Sequence, residues 1–585
     1  MSEAQPRSLT RSRWLVKDAD GAAWRRLCEG LGVSPLTARA LVCRGITEVE
    51  AAGIFLGRDL SHLTDPFEMK DMDRAVAAVE AALARGAHIR IYGDYDVDGV
   101  CATALLVRAL GGLARRADGG LGGKVDWYIP HRIDEGYGVN EEAVRLAQAE
   151  GVELLITVDC GSSALGPVAV ARDLGMEVVV TDHHHPGGEL PDAPVLNPCR
   201  RDCAYPFKEL AGVGVAFKLV SALARARGLA GAELRFLDLV CLGTVADVVP
   251  LLGENRLIVQ HGLQSIAKSK KAGIRALMEV AGVGQGGSIG ARDVAFGLAP
   301  RINAAGRMED ARGAVRLLLT SDMEEARELA GDLCQHNDAR RAEERQTLAQ
   351  AEEMVAVGVD LVREKVIVLG SERWHPGVIG IVASRLVERY HRPTLLVAIG
   401  EGIGKGSGRS ISAFNLWEGL QECADLLTRF GGHRYAAGFG VEAGRIEELR
   451  LRINQVADRC LTVEDLLRQI EIDAEAELEQ LSPEAVGELN RLAPFGMGNP
   501  APVLLTRRAK VEEMSRVGNG SHVALRLRSA AGASHGAIWF RAGALGEELV
   551  VGGTVDVCFR PKLDEWDGST RVQLVVEDIG VWDGE

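Results

Sequence analysis

The stretch "HIRIYGDYDVDGV", residues 88 to 100, decides the fold. It opens with a short apolar run and then places three aspartates, Asp94, Asp96 and Asp98, at every second position, followed by Gly99. The residues that continue it, "VCATALLVRALGGL", carry apolar side chains at helical spacing. The stretch therefore predicts a buried strand, an acidic turn and a helix, in that order.

The same arrangement occurs twice more along the chain. "VELLITVDCG" (152–161) is an apolar strand that ends at Asp159, and "GMEVVVTDHHH" (175–185) is another that ends at Asp182 and His183. Strands that alternate with helices indicate βαβ units and a parallel sheet. Ligands of such sheets bind at the carboxyl ends of the strands. We therefore expect an α/β fold with these acidic and histidine clusters gathered at one edge.

Two simpler explanations of "DYDVDG" are weaker. It matches the first six positions of an EF-hand calcium loop, but the twelfth position, which should be Glu, is Leu105. One aspartate could cap the helix that begins near Gly99, but three would be excessive. A further carboxylate, Asp247, lies in the apolar stretch "GTVADVVPL", where burial without a partner is costly.

Carboxylates together with imidazole indicate a divalent metal site. Mn²⁺ suits a mixed oxygen and nitrogen ligand set better than Mg²⁺ does. Two ions about 3.5–4 Å apart need a bridging carboxylate, and they serve phosphoryl hydrolysis. We predict two ions, Mn²⁺ or Mg²⁺.

Length, composition and net charge limit the fold and function classes that are possible. The 585 residues correspond to about three to five domains. The net charge of −15 argues against a generic polyanion binder, although local basic patches can still contact phosphate. The eleven cysteines form no CxxC pair, so a structural zinc site is not expected. Without an apolar run of about 18 residues or a signal-peptide pattern, we expect a cytoplasmic protein with no membrane partner.

The sequence pattern changes several times along the rest of the chain. A long helical tract opens with Ser321 and Glu324 in a capping-box pattern, and a second α/β segment follows it. Short β-like runs after residue 463 indicate a small barrel or sandwich. In these runs "RRAK", "RLRS" and "FRPK" alternate with Trp539, Phe540, Phe559 and Trp566, a pattern that suits single-strand binding, although ordinary edge-strand charges explain it nearly as well.

The motifs together resemble a known family. "DYDVDG", "VDCG", "DHH" and "GTVADV" look like successive motifs of the DHH phosphoesterase superfamily. Six later segments narrow the resemblance to the RecJ family of bacterial single-strand-specific exonucleases; they are "HRIDEGYGVN", "LAPRINAAGRM", "WHPGVIGIVASRL", "GSGRSISAFNL", "GGHRYAAGF" and "LAPFGMGNPAPVL". The resemblance runs from about residue 50 to the C-terminus. Two departures are a Gly-rich insertion at 111–124, which is longer than usual, and a third histidine, His185, which we treat as incidental.

The resemblance implies a domain plan. A DHH-type parallel-sheet catalytic domain, a long connecting helix, a second α/β domain of the DHHA1 type and a C-terminal OB-fold β-barrel are expected. The corresponding ranges are an N-terminal segment at 1–50, then 51–320, 321–362, 363–462 and 463–585.

The resemblance also implies roles for the clustered residues. Asp96 and Asp98 would each bind one metal and Asp159 would bridge both, with His183 and Asp247 completing the set. Asp94 would bind a metal or support a ligand. His184 would touch the scissile phosphate or a water. The catalytic residues so implied are His184, Asp159, Asp182 and Arg301.

Phosphate contacts follow from the later motifs. Arg132 would hold a terminal 5′ phosphate, since arginine suits bidentate phosphate recognition, and Tyr137 would stack near the end of the strand. "GEGIGKGSGRS" fails the P-loop spacing, yet Ser407 and Arg409 on a Gly-rich loop suit a phosphate pocket. The remaining implied contacts are Asn303, Arg307, His375 and His433.

The resemblance implies a 5′→3′ exonuclease on single-stranded DNA that acts in repair and recombination. Single-stranded DNA is the expected partner, with single-strand DNA-binding protein and a helicase as family expectations. One rival is a smaller-substrate phosphodiesterase that cleaves cyclic dinucleotides or short oligonucleotides. Another is an inactive DNA-binding scaffold, against which the full metal-ligand set argues. A multidomain monomer is the default expectation.

Overall fold

The protein forms two compact units. The computed structural model describes residues 6–114, 123–132, 134–284, 289–308, 310–566 and 569–582. The first unit consists of residues 54–339 and 493–500, and the second of residues 1–53, 340–492 and 501–585. In the described ranges, no helix is both long and apolar enough to cross a membrane.

Two short strands and three helices open the chain. Ser34 caps the second helix, because its hydroxyl accepts the Thr37 N–H and Pro35 occupies the first helical position. These elements are β1 (Arg7–Ser8), β2 (Arg13–Val16), α1 (Gly21–Leu31), α2 (Pro35–Val42) and α3 (Val49–Leu56).

The first unit is built on the predicted parallel sheet. Its first elements are α4 (Met72–Arg85), β3 (His88–Tyr92), α5 (Val97–Leu113), β4 (Lys124–Tyr128), α6 (Glu141–Ala149), β5 (Leu154–Val158), α7 (Leu165–Asp173), β6 (Glu177–Thr181) and β7 (Val195–Leu196). The strands are all parallel in the order β4-β3-β5-β6-β7. This is the doubly wound order 2-1-3-4-5, which binds ligands where the chain reverses direction across the sheet, beside β3 and β5.

A helical layer covers one face of this sheet. Its elements are α8 (Gly212–Ala226), α9 (Leu237–Ala246), α10 (Gly253–Ala267), α11 (Ala272–Ala281), α12 (Ala291–Asp293), a π-helix (Val294–Leu298), α13 (Ala299–Met308) and α14 (Arg312–Leu319). Helices α5, α8 and α9 share one apolar core with β3 and β5. Helices α8 and α9 are almost wholly buried. Their packing fixes the start of α8 and the end of α9, where Asp247 is the C-cap residue.

A single long helix, α15 (Met323–Gly358), follows. Its 36 residues extend about 54 Å. Asp322 caps it by accepting the N–H groups of Glu324 at 2.7 Å and Glu325 at 3.2 Å. The expected Ser321 cap is therefore wrong by one residue, because the neighbouring carboxylate takes the free N–H groups.

The second unit contains a mixed sheet. Its elements are β8 (Ile367–Ser371), α16 (Ile379–Tyr390), β9 (Thr394–Gly400), β10 (Ile403–Arg409), α17 (Leu416–Gln421), β11 (Leu427–Gly432), β12 (Ala436–Glu442) and α18 (Ile446–Cys460). The strand order is β11-β12-β10-β9-β8, with β8 and β9 parallel and the other pairs antiparallel. The predicted second α/β domain is confirmed.

The second unit also contains the predicted barrel. Its elements are β13 (Gln469–Ile472), β14 (Ala474–Glu475), α19 (Pro483–Leu489), β15 (Leu504–Val517), β16 (His522–Arg528), β17 (Ser534–Trp539), β18 (Thr554–Trp566) and β19 (Ser569–Val581). Five strands close in the order β15-β16-β17-β19-β18 and back to β15. The N-terminal segment joins it, since β1 pairs with β19 and β2 with β13. Buried Asp578 accepts the Trp14 indole N–H at 2.7 Å and anchors this junction.

Candidate metal centre and nucleic-acid contacts

The polar side chains predicted at strand ends do meet at one edge of the parallel sheet. Asp94 follows β3, Asp159 follows β5, and Asp182 and His183 follow β6. Helices bring two more carboxylates to the same place. Asp98 lies in the first turn of α5, and Asp247 is the C-cap residue of α9.

These side chains form two neighbouring groups, and a third group, Asp159 with His183 and His184, overlaps both. Ligand atoms of Asp94, Asp96 and Asp159 lie within 4.8 Å of one another, as do those of Asp98, His183 and Asp247. The His183 Nε2 atom is 3.2 Å from Asp159 Oδ1 and 3.6 Å from Asp247 Oδ2. Asp159 therefore lies between the two groups, in the place that a bridging ligand needs.

Several atoms at this place are buried without a hydrogen-bond partner. Asp94 Oδ1, Asp159 Oδ1, His183 Nε2 and Asp247 Oδ2 all have this property. Leaving buried carboxylate oxygens without a donor is costly unless a cation compensates them. The donor set, several carboxylates and one imidazole, fits two divalent cations of the Mn²⁺ or Mg²⁺ type.

The pKa shifts in the metal-free cluster also indicate a site for cations. Burial raises the pKa of Asp94 to about 8 and that of Asp98 to about 7, and Asp96 adds to both shifts. Burial and the charge of Asp98 raise the pKa of Asp247 to about 9 and hold that of Asp159 well above its ordinary value. Crowded, desolvated carboxylates resist ionisation, so a cation is the natural partner of their charged forms.

The surroundings shift the pKa values of the two motif histidines in opposite directions. Burial, with the neighbouring His184, lowers the pKa of His183 to about 4, so its imidazole is neutral and suited to bind metal. Burial is the largest single influence on His184 and works against its charge, but the 2.8 Å hydrogen bond to Asp182 and the charges of Asp182, Asp96 and Asp98 together raise its pKa. Burial alone would raise the pKa of Asp182, but the hydrogen bond and charge of His184 and the N–H groups of Ser162 and His184 together lower it. Asp182 thus favours the protonated form of His184.

Helix ends position the aspartates. Asp96 is the N-cap of α5, since its Oδ1 accepts the N–H groups of Asp98 and Gly99. Asp98 in turn accepts the Gly212 N–H at 2.6 Å and the Val213 N–H at 2.9 Å, at the start of α8. These contacts complement the free N–H groups of both helices and fix the two carboxylates.

Glycines make room for the carboxylates. A Cβ at Gly212 would lie 2.6 Å from Asp159 Oδ1, and one at Gly243 would lie 2.9 Å from Asp98 Oδ1. Sequence reasoning missed both residues, although "AGVGVAF" and "GTVADV" carry them. Asp159 itself has a φ of +60°, a left-handed conformation that is strained for most residues and recurs at functional sites.

The predicted substrate residues of the first unit have the following contacts. The Tyr137 hydroxyl lies 3.0 Å from His184 Nδ1 and donates to the Asp159 carbonyl at 3.1 Å. The Arg132 guanidinium stacks over the Tyr95 ring at 4.9 Å. Asn303 Oδ1 accepts the N–H of Val97, the first residue of α5, so α13 reaches the acidic turn.

Arginines 301 and 307 lie on the same helix, α13, but differ in setting. Arg301 is buried and donates to the carbonyls of Gly297 and Val280. These partners are backbone groups of the helical layer, and the catalytic role of Arg301 stays a prediction. Arg307 is half-buried, and its positive charge counters the raised pKa of Tyr95, which burial raises to about 12.

The other predicted phosphate contacts belong to the second unit. Arg409 donates to the Ser407 hydroxyl at 3.2 Å, and both side chains face Gly380 at the start of α16, where an added Cβ would lie 2.8 Å from Ser407 Oγ. His375 accepts the Gly377 N–H, and α16 begins two residues after Gly377, at Ile379. His433 is exposed in the turn between β11 and β12. A helix start, a hydroxyl and a guanidinium together suit an anion.

The barrel differs from the sequence expectation. Trp539 and Phe559 are buried in its core, whereas Phe540 is 54% exposed and packs against His522. The Trp566 side chain lies outside the described residues. Most of the arginines are neutralised in ion pairs, namely Arg507 with Glu475, Arg526 with Glu513, Arg528 with Glu512 and Arg560 with Glu577. The basic runs are thus mainly paired surface charges, and Phe540 is the aromatic available for stacking in the described barrel.

The structure describes little of the two departures from the family pattern. Most of the Gly-rich insertion at 111–124, residues 115–122, lies outside the described residues. His185, the third histidine of its motif, has an exposed side chain.

Comparison with protein families gives three matches. The "DHH family, N-terminal domain" matches residues 88–244, the "DHHA1 domain" residues 363–459 and the "RecJ OB domain" residues 472–578. The first match contains all the metal-ligand candidates except Asp247. The expected set of domain types is therefore confirmed.

Relatives match along most of the chain. The single-stranded-DNA-specific exonuclease RecJ of Bacillus subtilis is 41% identical over 577 residues, which cover 98% of this chain and 71% of that protein. A crystal structure of RecJ from Thermus thermophilus in complex with Mn²⁺ is 35% identical with a TM-score of 0.83, covering 98% of this chain and 80% of that one. The same protein in complex with Mg²⁺ matches with a TM-score of 0.77 at 33% identity, covering 98% and 79%.

Proposed function

The chain belongs to the RecJ family of DHH phosphoesterases, and we propose that it is a metal-dependent exonuclease that degrades single-stranded DNA from the 5′ end, one nucleotide at a time. The observation that carries this proposal is the pair of ligand groups on either side of Asp159, with unpartnered buried atoms in both. Their chemistry matches the Mn²⁺ and Mg²⁺ bound to the Thermus relative. The cofactor is therefore a pair of Mn²⁺ or Mg²⁺ ions.

Each group would hold one ion. Asp94, Asp96 and Asp159 form one ligand set, and Asp98, His183 and Asp247 form the other. When bound, the two cations activate a water and neutralise charge that develops on the phosphate oxygens. Asp94 thereby acquires the role of a direct ligand, which the sequence left open.

The remaining residues act on the proton and the substrate. His184, whose protonated form Asp182 favours, can donate a hydrogen bond to a phosphate oxygen or a proton to the leaving oxygen. The Tyr137 hydroxyl bridges His184 and the Asp159 carbonyl, which fixes the orientation of the imidazole. No protein nucleophile is needed.

The terminal phosphate has a set of candidate contacts. In the first unit Arg132, stacked on Tyr95, offers a guanidinium group that suits a phosphate monoester, and in the second unit Arg409, beside Ser407, separately offers another. The other proposed contacts are Tyr137, Asn303, Arg307, His375 and His433. Such recognition of an end would explain exonucleolytic rather than internal cleavage.

Several expectations concern the cell. Single-stranded DNA is the substrate, and the RecJ-type OB domain supports its binding. Roles in repair and recombination, a cytoplasmic location, and contacts with single-strand DNA-binding protein and a helicase follow from the family alone. The domain limits 1–50, 51–320, 321–362, 363–462 and 463–585 also stay predictions.

One assay tests the proposal. End-labelled single-stranded DNA, duplex DNA and a cyclic dinucleotide are each incubated with the protein and Mn²⁺. We expect rapid release of mononucleotides from the single strand only, and from its 5′ end. Degradation of the cyclic dinucleotide alone would contradict the proposal in favour of a small-substrate phosphodiesterase, and no hydrolysis at all would favour a DNA-binding scaffold.

A further inference from the structure

The loop after Asp247 presents an unusual residue. Val248 has a φ of +63°, in the left-handed region, and its side chain is 60% exposed. A β-branched residue in that region is a genuine outlier, because its Cβ crowds the backbone. The other non-glycine residues with positive φ in the described chain all carry polar or charged side chains: Arg11, Asp71, Asp159, His391, Glu401, Arg508, Asn519 and Arg541.

Buried contacts hold this loop on both sides. The Asp247 N–H donates to the Gly243 carbonyl at 2.9 Å, which ends α9. The Leu251 N–H donates to the Met497 carbonyl at 2.8 Å, and the buried Asn255 side chain donates to the Pro250 carbonyl at 3.1 Å. These hydrogen bonds therefore fix the exposed position of Val248 in the first unit.

The location of Val248 connects this feature to the chemistry. It directly follows Asp247, whose Oδ2 lies 3.6 Å from the His183 imidazole in the metal-ligand cluster. Its exposed side chain contributes little to the core, and Gly or Asn would adopt the same backbone at lower cost. Strain that persists beside a reactive centre indicates a functional use of the side chain.

We propose that Val248 packs against the apolar face of the nucleotide whose phosphodiester is cleaved, its sugar or its base, and so positions that nucleotide over the metal centre. The inference deepens the proposed exonuclease function and rests on it. An uncharged aliphatic group suits the sugar C–H groups and the base face, and it offers the phosphate nothing. Val248 is thus a substrate contact that is neither a metal ligand nor a phosphate-binding residue.

Substitutions that relieve the backbone strain at Val248 distinguish a substrate contact from a purely structural role. Val248→Gly and Val248→Asn fit the left-handed backbone, so the thermal unfolding midpoint should stay or rise and Mn²⁺ affinity should be unchanged. The KM for single-stranded DNA should rise about 5- to 20-fold through the lost apolar contact. Val248→Ile keeps the branched apolar surface and should cleave like the unmodified protein. Glu401→Gly, an exposed positive-φ residue of the β9–β10 turn, is the control and should leave KM unchanged.

Modified substrates identify the face that is touched. If Val248 contacts the base, a terminal abasic residue should raise the KM of the unmodified protein and leave that of Val248→Gly as it is. If it contacts the sugar, a terminal ribose should penalise the unmodified protein more than the variant. Unchanged KM in Val248→Gly, or loss of Mn²⁺ binding with KM, would overturn the inference, because the loop would then serve only to place Asp247. Failure of the unmodified protein to cut single strands would instead refute the exonuclease proposal.

Discussion

Asp159 combines three properties in one residue. Its carboxylate lies between the two ligand groups, one oxygen is buried without a partner, and its backbone is left-handed. Because both ions would share this carboxylate, replacing Asp159 with Ala should reduce cleavage on the order of 10³-fold or more. Binding of single-stranded DNA should persist, since the carboxylate repels phosphate. Release of end-labelled nucleotides measures the first effect and fluorescence anisotropy the second.

The matched control for Asp159 is an aspartate of the same domain without a metal role. Asp173 is exposed at the end of α7, and Asp173→Asn should cleave at the unmodified rate. If Asp159→Ala cut normally, the bridging assignment would be wrong. If it lost DNA binding together with cleavage, the loss of activity would reflect a damaged fold.

Proton release should accompany metal binding. Burial raises the pKa of Asp98 to about 7, that of Asp94 to about 8 and that of Asp247 to about 9, so protons occupy these oxygens in the metal-free protein below those values. Metal must displace these protons, and Mn²⁺ affinity should therefore fall as the pH is lowered from 9 through 7. His183 adds no proton, because burial lowers its pKa to about 4. Calorimetric titration in two buffers of different ionisation enthalpy counts the protons; a pH-independent affinity would contradict the ligand set.

At the element scale, the start of α8 acts as a support for the metal centre. Gly212 donates its N–H to Asp98, and the space of a Cβ there is occupied by the Asp159 carboxylate. Gly212→Ala should therefore displace both carboxylates, weaken Mn²⁺ binding at least about tenfold and destabilise the fold by about 1–3 kcal/mol. Mn²⁺ titration and thermal unfolding measure the two effects.

The same helix provides the comparison for Gly212→Ala. At Gly214 an added Cβ would first meet Leu210 Cδ2 at 3.3 Å, the end of a flexible side chain that can give way. Gly214→Ala should accordingly keep Mn²⁺ affinity close to normal. Equal losses in the two variants would mean that α8 tolerates no added volume and that the Asp159 contact is not special.

Elements could be predicted where a local pattern determines them. The strands ending at Asp94, Asp159 and Asp182 are apolar runs with a polar stop, so their edge of the sheet was predictable. Gly212 and Gly243 were not, because their role depends on carboxylates that are distant in sequence. The strained backbone of Asp159 likewise follows from tertiary packing, which single-residue propensities do not contain.

The barrel shows what a linear pattern leaves open. The alternation of basic and aromatic residues suited a single-strand-binding surface and ordinary edge-strand charges almost equally, and in the structure Trp539 and Phe559 fill the barrel core. Their arginine neighbours pair with glutamates on adjacent strands, which a linear pattern cannot reveal. The sequence shows which residues are aromatic or basic, but it leaves open which face of its strand each side chain occupies.

At the scale of the whole molecule, a chain of net charge −15 must hold a polyanion. The metal ligands account for part of the negative charge, and bound cations would neutralise it. Five arginines of the described barrel are in ion pairs, so only some of its basic side chains, such as the exposed Lys510 and Lys562, can release counterions from the strand. Each phosphate contact contributes about −0.7 to the log–log salt slope for single strands, so we expect a shallow slope of about −2 to −3.

Stacking must then supply much of the affinity, and Phe540 is the exposed aromatic of the described barrel. Phe540→Ala should weaken binding of a long single strand about tenfold or more while leaving the salt slope unchanged, since stacking involves no counterions. Val551→Ala, a change of an exposed aliphatic residue of the same barrel, should have little effect. Anisotropy titrations across a salt series measure both quantities. A loss that appears in the slope instead would show that the barrel binds through phosphates, and its ion pairs would then have to open when DNA arrives.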